Sequence, residues 1–152
     1  MDTQDIVTSL NNLIETCKDG EYGFRSSAEY AKSAPIKQLF TTRAAGCAQA
    51  AAELQTLVQR YGGEAETDGT TSGTLHRGWV AVKGTLAGSS DLSMLEEAER
   101  GEDTALERYR DALREDHLPS EAREIVERQY EGVKRNHDQI RNMRNQARAT
   151  SE

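Results

Sequence analysis

The sequence predicts an all-α protein, an antiparallel four-helix bundle made of two helical hairpins joined by a long crossover. Three observations predict it. Apolar residues recur at alternating three- and four-residue intervals in four separate stretches, the spacing that keeps one face of a helix against a partner. Only 36% of the residues are hydrophobic and 5% aromatic while 30% are charged, which suits narrow apolar seams and wide solvated faces better than a broad sheet. A segment rich in Gly, Ser and Thr divides the four stretches into two pairs. With 152 residues, a single domain spanning 1–152 is expected, burying roughly two thirds of the surface its unfolded chain would expose.

The first helix is expected at about 3–32. Its seam runs Ile6, Leu10, Leu13, Cys17, then Phe24, Ala28 and Ala31, with Gly20 and Glu21 in the slot between. Asp2 or Thr3 is placed to cap its start, and Pro35 marks the next helix's first turn. The second helix, at 36–61, carries Ile36, Phe40, Arg43, Cys47, Ala50, Leu54, Leu57 and Tyr61 and stops at Gly62-Gly63. The connection is too short for any arrangement but an antiparallel pair.

Residues 62–91 carry seven glycines and read as a crossover. Its length fits a third helix parallel to the second, because the chain must then return along the bundle. Trp79, Val80, Val82 and Leu86 are expected to pack on the helices during that return. The third helix is expected after Asp91, at 92–114, with Leu95, Ala98, Glu102, Ala105, Tyr109 and Ala112. The fourth is expected at 120–147, with Ser120 as cap and Ala122, Val126, Gln129, Val133, His137 and Ile140 on its seam. Each hairpin thus pairs a helix holding Gly-Glu in mid-seam with one that turns a polar side chain inward.

Those intruders are the candidate functional residues: Glu21, Arg43, Glu102, Gln129 and His137. A carboxylate inside a bundle must be paired, hydrogen-bonded or metal-bound, since isolation in an apolar medium costs several kcal/mol. Crossover bundles often hold two iron or manganese ions with one Glu from each of two helices and a Glu-x-x-His motif from each of the others. Glu21 and Glu102 match the single glutamates. The second helix, however, offers CAQA (47–50) where a motif is needed, and the fourth offers Glu127 with Tyr130 in the histidine's place. The expectation is therefore a buried polar network in which Arg43 supplies the positive charge, with no cofactor. The alternative is iron or manganese held by Glu21, Glu102 and His137.

Cys17 and Cys47 lack CxxC spacing and read as buried small hydrophobes. His76 and His117 read as loop and turn residues, and the run EEAERGED, apart from Glu102, as a solvated face near a helix start. No phosphate-loop, nucleophile-elbow, zinc-protease or dinucleotide motif occurs, and nothing assigns a catalytic residue. A net charge of −7 opposes nucleic-acid binding, and the basic residues between Lys134 and Arg148 suit the end of a helix. With no apolar run long enough to span a bilayer and no leader-like start, a cytoplasmic location without membrane contact is expected.

The strings LEEAERGEDTALERYRDAL, HLPSEA and RNHDQIRNM, together with HRGW, resemble a bacterial family of unassigned function in the ferritin-like superfamily, domain of unknown function 2383. The resemblance runs from about Ile6 to Met143. It implies a ferritin-like bundle, self-association as a homodimer or binding to another protein, and by analogy a stress-associated role. Ferritin-type ligands carry over only to Glu21 and Glu102.

Overall fold

A computed structural model describes residues 3–67 and 90–151. The expected packing of Trp79, Val80, Val82 and Leu86, the reading of His76, the capping role of Asp2 and most of the crossover lie outside them. The described residues form four helices and no strands: α1 Thr3–Tyr30, α2 Ala34–Arg60, α3 Asp91–Arg114 and α4 Ser120–Ser151.

Five boundaries differ from the sequence expectation: α1 stops at Tyr30 and α2 at Arg60, one or two residues early, and three others differ for a local reason. Helix α2 starts at Ala34 because Pro35, with its φ already helical and no N–H to satisfy, sits within the first turn behind Ser33. Helix α3 starts at Asp91, not after it; Ser90 Oγ accepts from the Ser93 N–H and is the cap. Asp91 instead accepts from the backbone N–H groups of Lys32 and Ser33 at 2.8 and 2.9 Å, fastening the first hairpin's turn to the start of α3. Helix α4 runs on to Ser151, with Arg144 and Arg148 paired to Glu99 and Glu96 of α3.

Helix α2 ends as Gly62-Gly63 suggested. Gly62 has φ +77°, and the Gly62 and Gly63 N–H groups return to the Gln59 and Val58 carbonyls, satisfying two acceptors the helix end would otherwise orphan. The chain then folds back over α1 and α2: Asn11 brackets it through the Glu64 carbonyl and Glu66 N–H, and Gln55 donates to the Glu66 carbonyl.

Lateral bonds fix the direction of each helix. Ser9 pairs with His117, Cys17 with Tyr109, and Asp91 with Lys32 and Ser33, so α1 and α3 are antiparallel. Glu53 meets Arg128 and Arg60 meets Glu121, so α2 and α4 are antiparallel too, and α2 runs parallel to α3. The core lies in two blocks. One holds Leu10, Leu13, Leu54, Leu57 and Val126 towards the start of α1. The other holds Phe24, Phe40, Met94, Leu95 and Ile140 towards its end. The polar residues of interest lie between them.

Candidate functional site

Arg43 enters this middle layer from α2 and Glu102 from α3. The Glu102 carboxylate is 3% exposed, and its Oε1 accepts from Arg43 Nη2 at 3.0 Å and from Nε at 3.3 Å. The guanidinium also lies over the Phe24 ring, 5.3 Å from its centroid, an arrangement favoured by the negative face of the ring. Arg43 Nη2 reaches the Cys47 sulfur at 3.9 Å. Glycine clears the space: a Cβ at Gly46 would stand 2.9 Å from Arg43 Nη1, and one at Gly20 would stand 3.0 Å from Cys47 Sγ. Gly20 therefore makes room for a cysteine of α2, not for the neighbouring Glu21.

Burial pushes the Glu102 carboxyl above its ordinary pKa, against the opposing attraction of Arg43. Arg43 loses charge stabilisation to the same burial, but the Glu102 carboxylate more than restores it. Burial also pushes the Cys17 thiol up to about 11 and the Cys47 thiol higher still, so neither is a ready thiolate.

One layer away, Tyr109 donates to Gln129 Oε1 at 2.7 Å and lies 3.3 Å from Cys17 Sγ. Gln129 Nε2 donates to Glu53 at 2.8 Å and to the Ala50 carbonyl at 3.3 Å. Every polar atom of the Gln129 amide face is thereby spoken for by α2 or α3.

Of the five residues singled out in the sequence, the structure joins Arg43 directly to Glu102 and places Gln129 nearby with partners of its own. Glu21 lies at the margin, bonded to Arg25 at 2.6 Å and to Lys18 at 3.5 Å. His137 turns to α3 and bonds Asp103 at 2.6 Å, with Glu99 at 3.9 Å. Because Arg43 reaches both Phe24 and Glu102, the latter is level with Phe24, about one turn past Glu21. Likewise the α4 residue level with Glu102 is close to His137, further along the helix than the Glu127 and Tyr130 expected there. Among the described residues no group of three or more His, Cys, Asp or Glu side chains is arranged to hold a metal ion.

Sequence reasoning missed Asp19, the buried carboxylate of α1, which is 1% exposed. It belongs to a second three-and-four series, Asn12, Thr16, Asp19, Gly23 and Ser26, whose last four members are buried. Those residues are small or polar, so a search for apolar seams passes over them. Tyr109 as the hinge between Cys17 and Gln129 was also missed, although all three were on predicted seams.

Helices α2 and α4 touch little at mid-bundle, and between them opens a cleft of about 660 Å³. Arg43, Glu102, Tyr109 and Gln129 line it, together with small residues such as Gly46 and Gly132. No helix among the described residues is long and apolar enough to cross a membrane.

Compared with known proteins, the chain matches over residues 5–115 the model of a family described as Domain of unknown function (DUF2383). The match includes α1 from Asp5 on, α2, α3 and the Arg43–Glu102 pair and ends before α4. No curated protein matches the chain.

Proposed function

The chain belongs to this family of unassigned function, and we propose that it is a non-enzymatic, ferritin-like bundle of the cytoplasm that acts by binding, to a second copy of itself or to another protein, in a stress-associated setting. In this reading Arg43 replaces the metal of related architectures as the resident cation of the bundle. One observation carries it: the most buried glutamate of the middle layer, Glu102, already has a guanidinium at 3.0 Å. Arginine stays charged at any physiological pH and cannot be exchanged, so such a site is structural where a metal site would turn over. The remaining polar groups support the same reading. Glu21 is engaged by Arg25, His137 by Asp103, and the level of α2 beside Gly20 presents Cys47, not a carboxylate or imidazole.

The test is metal analysis of protein purified without chelator, alongside a Glu102→Ala variant. Iron and manganese are expected well below one equivalent per chain in both. Stoichiometric iron or manganese in the parent that disappears with the carboxylate would overturn the proposal and make Glu102 a ligand.

A further inference from the structure

Charge is balanced in the cleft between α2 and α4 except at one place. Three arginines and two glutamates line it. Arg43 is held by Glu102 and Arg128 by Glu53. Arg135 is left over: among the described residues no hydrogen bond or ion pair holds it, and the carboxylates nearest it along α4 are engaged, Glu131 by Lys134 and Asp138 by Arg141. In a chain of net charge −7 the cleft therefore carries one surplus positive charge.

The Arg43 guanidinium also keeps an open end. Glu102 Oε1 takes one N–H from Nε and one from Nη2, which leaves Nη1, on the side away from the glutamate, without a protein partner among the described residues. Nη1 is not sealed in. Ser27 Oγ and Arg144 Nε are the unbonded side-chain atoms of the described residues that are shut off from solvent; Nη1 is not one of them, and the cleft is its opening. A glycine bares each guanidinium. Nη1 lies against Gly46, where a Cβ would stand 2.9 Å away, and Arg135 Nη2 lies over Gly132, 3.7 Å from where a Cβ would be. Glu53 meets Gln129 across the cleft, so the antiparallel run brings Gly46, seven residues from Glu53, level with Asn136, seven from Gln129 and next to Arg135. Arg135 is thus rooted opposite Nη1. Gln49 and Asn136 add uncommitted amides to the same lining, each able to donate to an oxygen.

We propose that this cleft binds a small organic acid, a monocarboxylate on an apolar body, with the carboxylate between Arg43 Nη1 and Arg135 and the body against Phe24, Ala50, Ala105 and Val133. Charge decides the class. One negative charge matches the one surplus cation, and at Nη1 it has the guanidinium between itself and Glu102. A cation would be set against the surplus charge, and a neutral molecule would forgo the charge-assisted bonds. The volume, about 660 Å³, falls in the range of pockets that bury drug-sized molecules, and a few placed polar groups on apolar walls is their usual lining. The inference rests on the cleft and its arginines, not on self-association or on the metal content of the bundle.

Three probes of one shape test it: phenylpropionate, phenylpropionamide and phenylpropylammonium, each titrated into the full chain at neutral pH and low salt and followed by backbone amide chemical shifts. Phenylpropionate is expected to bind with Kd on the order of 1 mM, as befits a fragment of its size, and to move the resonances of Gly46 and Gly132. The neutral probe is expected to bind about tenfold more weakly and the cation more weakly still. Two variants locate the site, and their spectra without probe report that the fold is kept. Arg135→Gln changes an exposed side chain that no described residue holds; it should weaken phenylpropionate about three- to fivefold and leave the neutral probe as it was. Gly132→Leu should fill the cleft and abolish binding, since a Cβ there meets nothing closer than 3.7 Å. Equal binding of the acid and the neutral probe, tighter binding of the cation, phenylpropionate affinity unchanged in either variant, or no shifts at about ten times the expected Kd would each overturn the proposal.

Discussion

Replacing Arg43 with alanine removes one side of an enclosed ion pair, and the structure allows the cost to be reckoned. Glu102, 3% exposed, would lose the one counter-charge that the described residues place within hydrogen-bonding distance. Breaking a buried pair in this way costs about 3–5 kcal/mol. The guanidinium's contact with the Phe24 ring adds ~1 kcal/mol. Two features pull the figure down. The cleft lets water approach the vacated space, and a carboxyl whose pKa is already raised takes up a proton at lower cost. A loss of about 3 kcal/mol is therefore expected for Arg43→Ala. For a chain of this length that corresponds to a fall in Tm of roughly 6–12 °C.

The assay is urea unfolding followed by circular dichroism, run on Arg43→Ala, Glu102→Ala and the double variant. If the pair is the source of the loss, the double variant should be more stable than the sum of the single effects implies, with a coupling of at least ~1 kcal/mol. A double variant carrying Met at 43 and Leu at 102 should recover most of the parent's stability, since apolar replacement of a buried pair is often neutral or better. A Tm for Arg43→Ala within about a degree of the parent, or strictly additive single effects, would refute the reasoning.

Glu102 is harder to ionise folded than unfolded, so its contribution is fully present below the ordinary carboxyl pKa of 4.5 and is lost as pH rises through its higher folded value. The stability of the parent relative to Glu102→Gln, measured by urea unfolding, should accordingly fall as pH rises from about 4 and then level off; a relative stability that grows with pH would mean Arg43 outweighs burial. Asp91→Ala removes two charge-assisted bonds to the Lys32 and Ser33 N–H groups and should cost about 1–2 kcal/mol, with faster hydrogen exchange at those two amides as the local signature. Unchanged exchange there would show that the turn is held by other contacts.

The difference between what was legible in the sequence and what was not lies in how apolar and polar residues report their surroundings. Leu10, Leu13, Phe40, Leu54, Tyr109 and Ile140 could be assigned to the core because an apolar side chain at seam spacing has one favourable place to go. Arg43 and Glu102 were legible as inward residues for the inverse reason, since a charge in such a seam demands a partner, but the sequence left Glu21 and Glu102 equal as partners for Arg43. Glu21 carried the same signal but stands four residues before Arg25, and a glutamate at a seam's edge can swing to an i+4 arginine and keep part of its surface in water. Asp19 gave no signal, because α1 is flanked by both α2 and α3 and buries a wider arc than one apolar seam marks out.

The same logic bears on why the middle of this bundle is polar at all. An all-apolar layer would join the two core blocks into one and, given ordinary side-chain volumes, would draw α2 and α4 together. Here Gly46 and Ala50 of α2 and Gly132 of α4 leave the two helices apart, while Gln129 and Glu53 bridge them at one level with committed hydrogen bonds. A buried pair such as Arg43–Glu102 adds little net stability over apolar isosteres. Its consequence is geometric: it sets the relative height of α2 and α3, because sliding either helix by one residue would carry the guanidinium about 1.5 Å from its carboxylate. The chain thus gives up packing at its centre, keeps register through a few directional bonds, and retains an open, chemically addressable cleft where a fully packed bundle would have none.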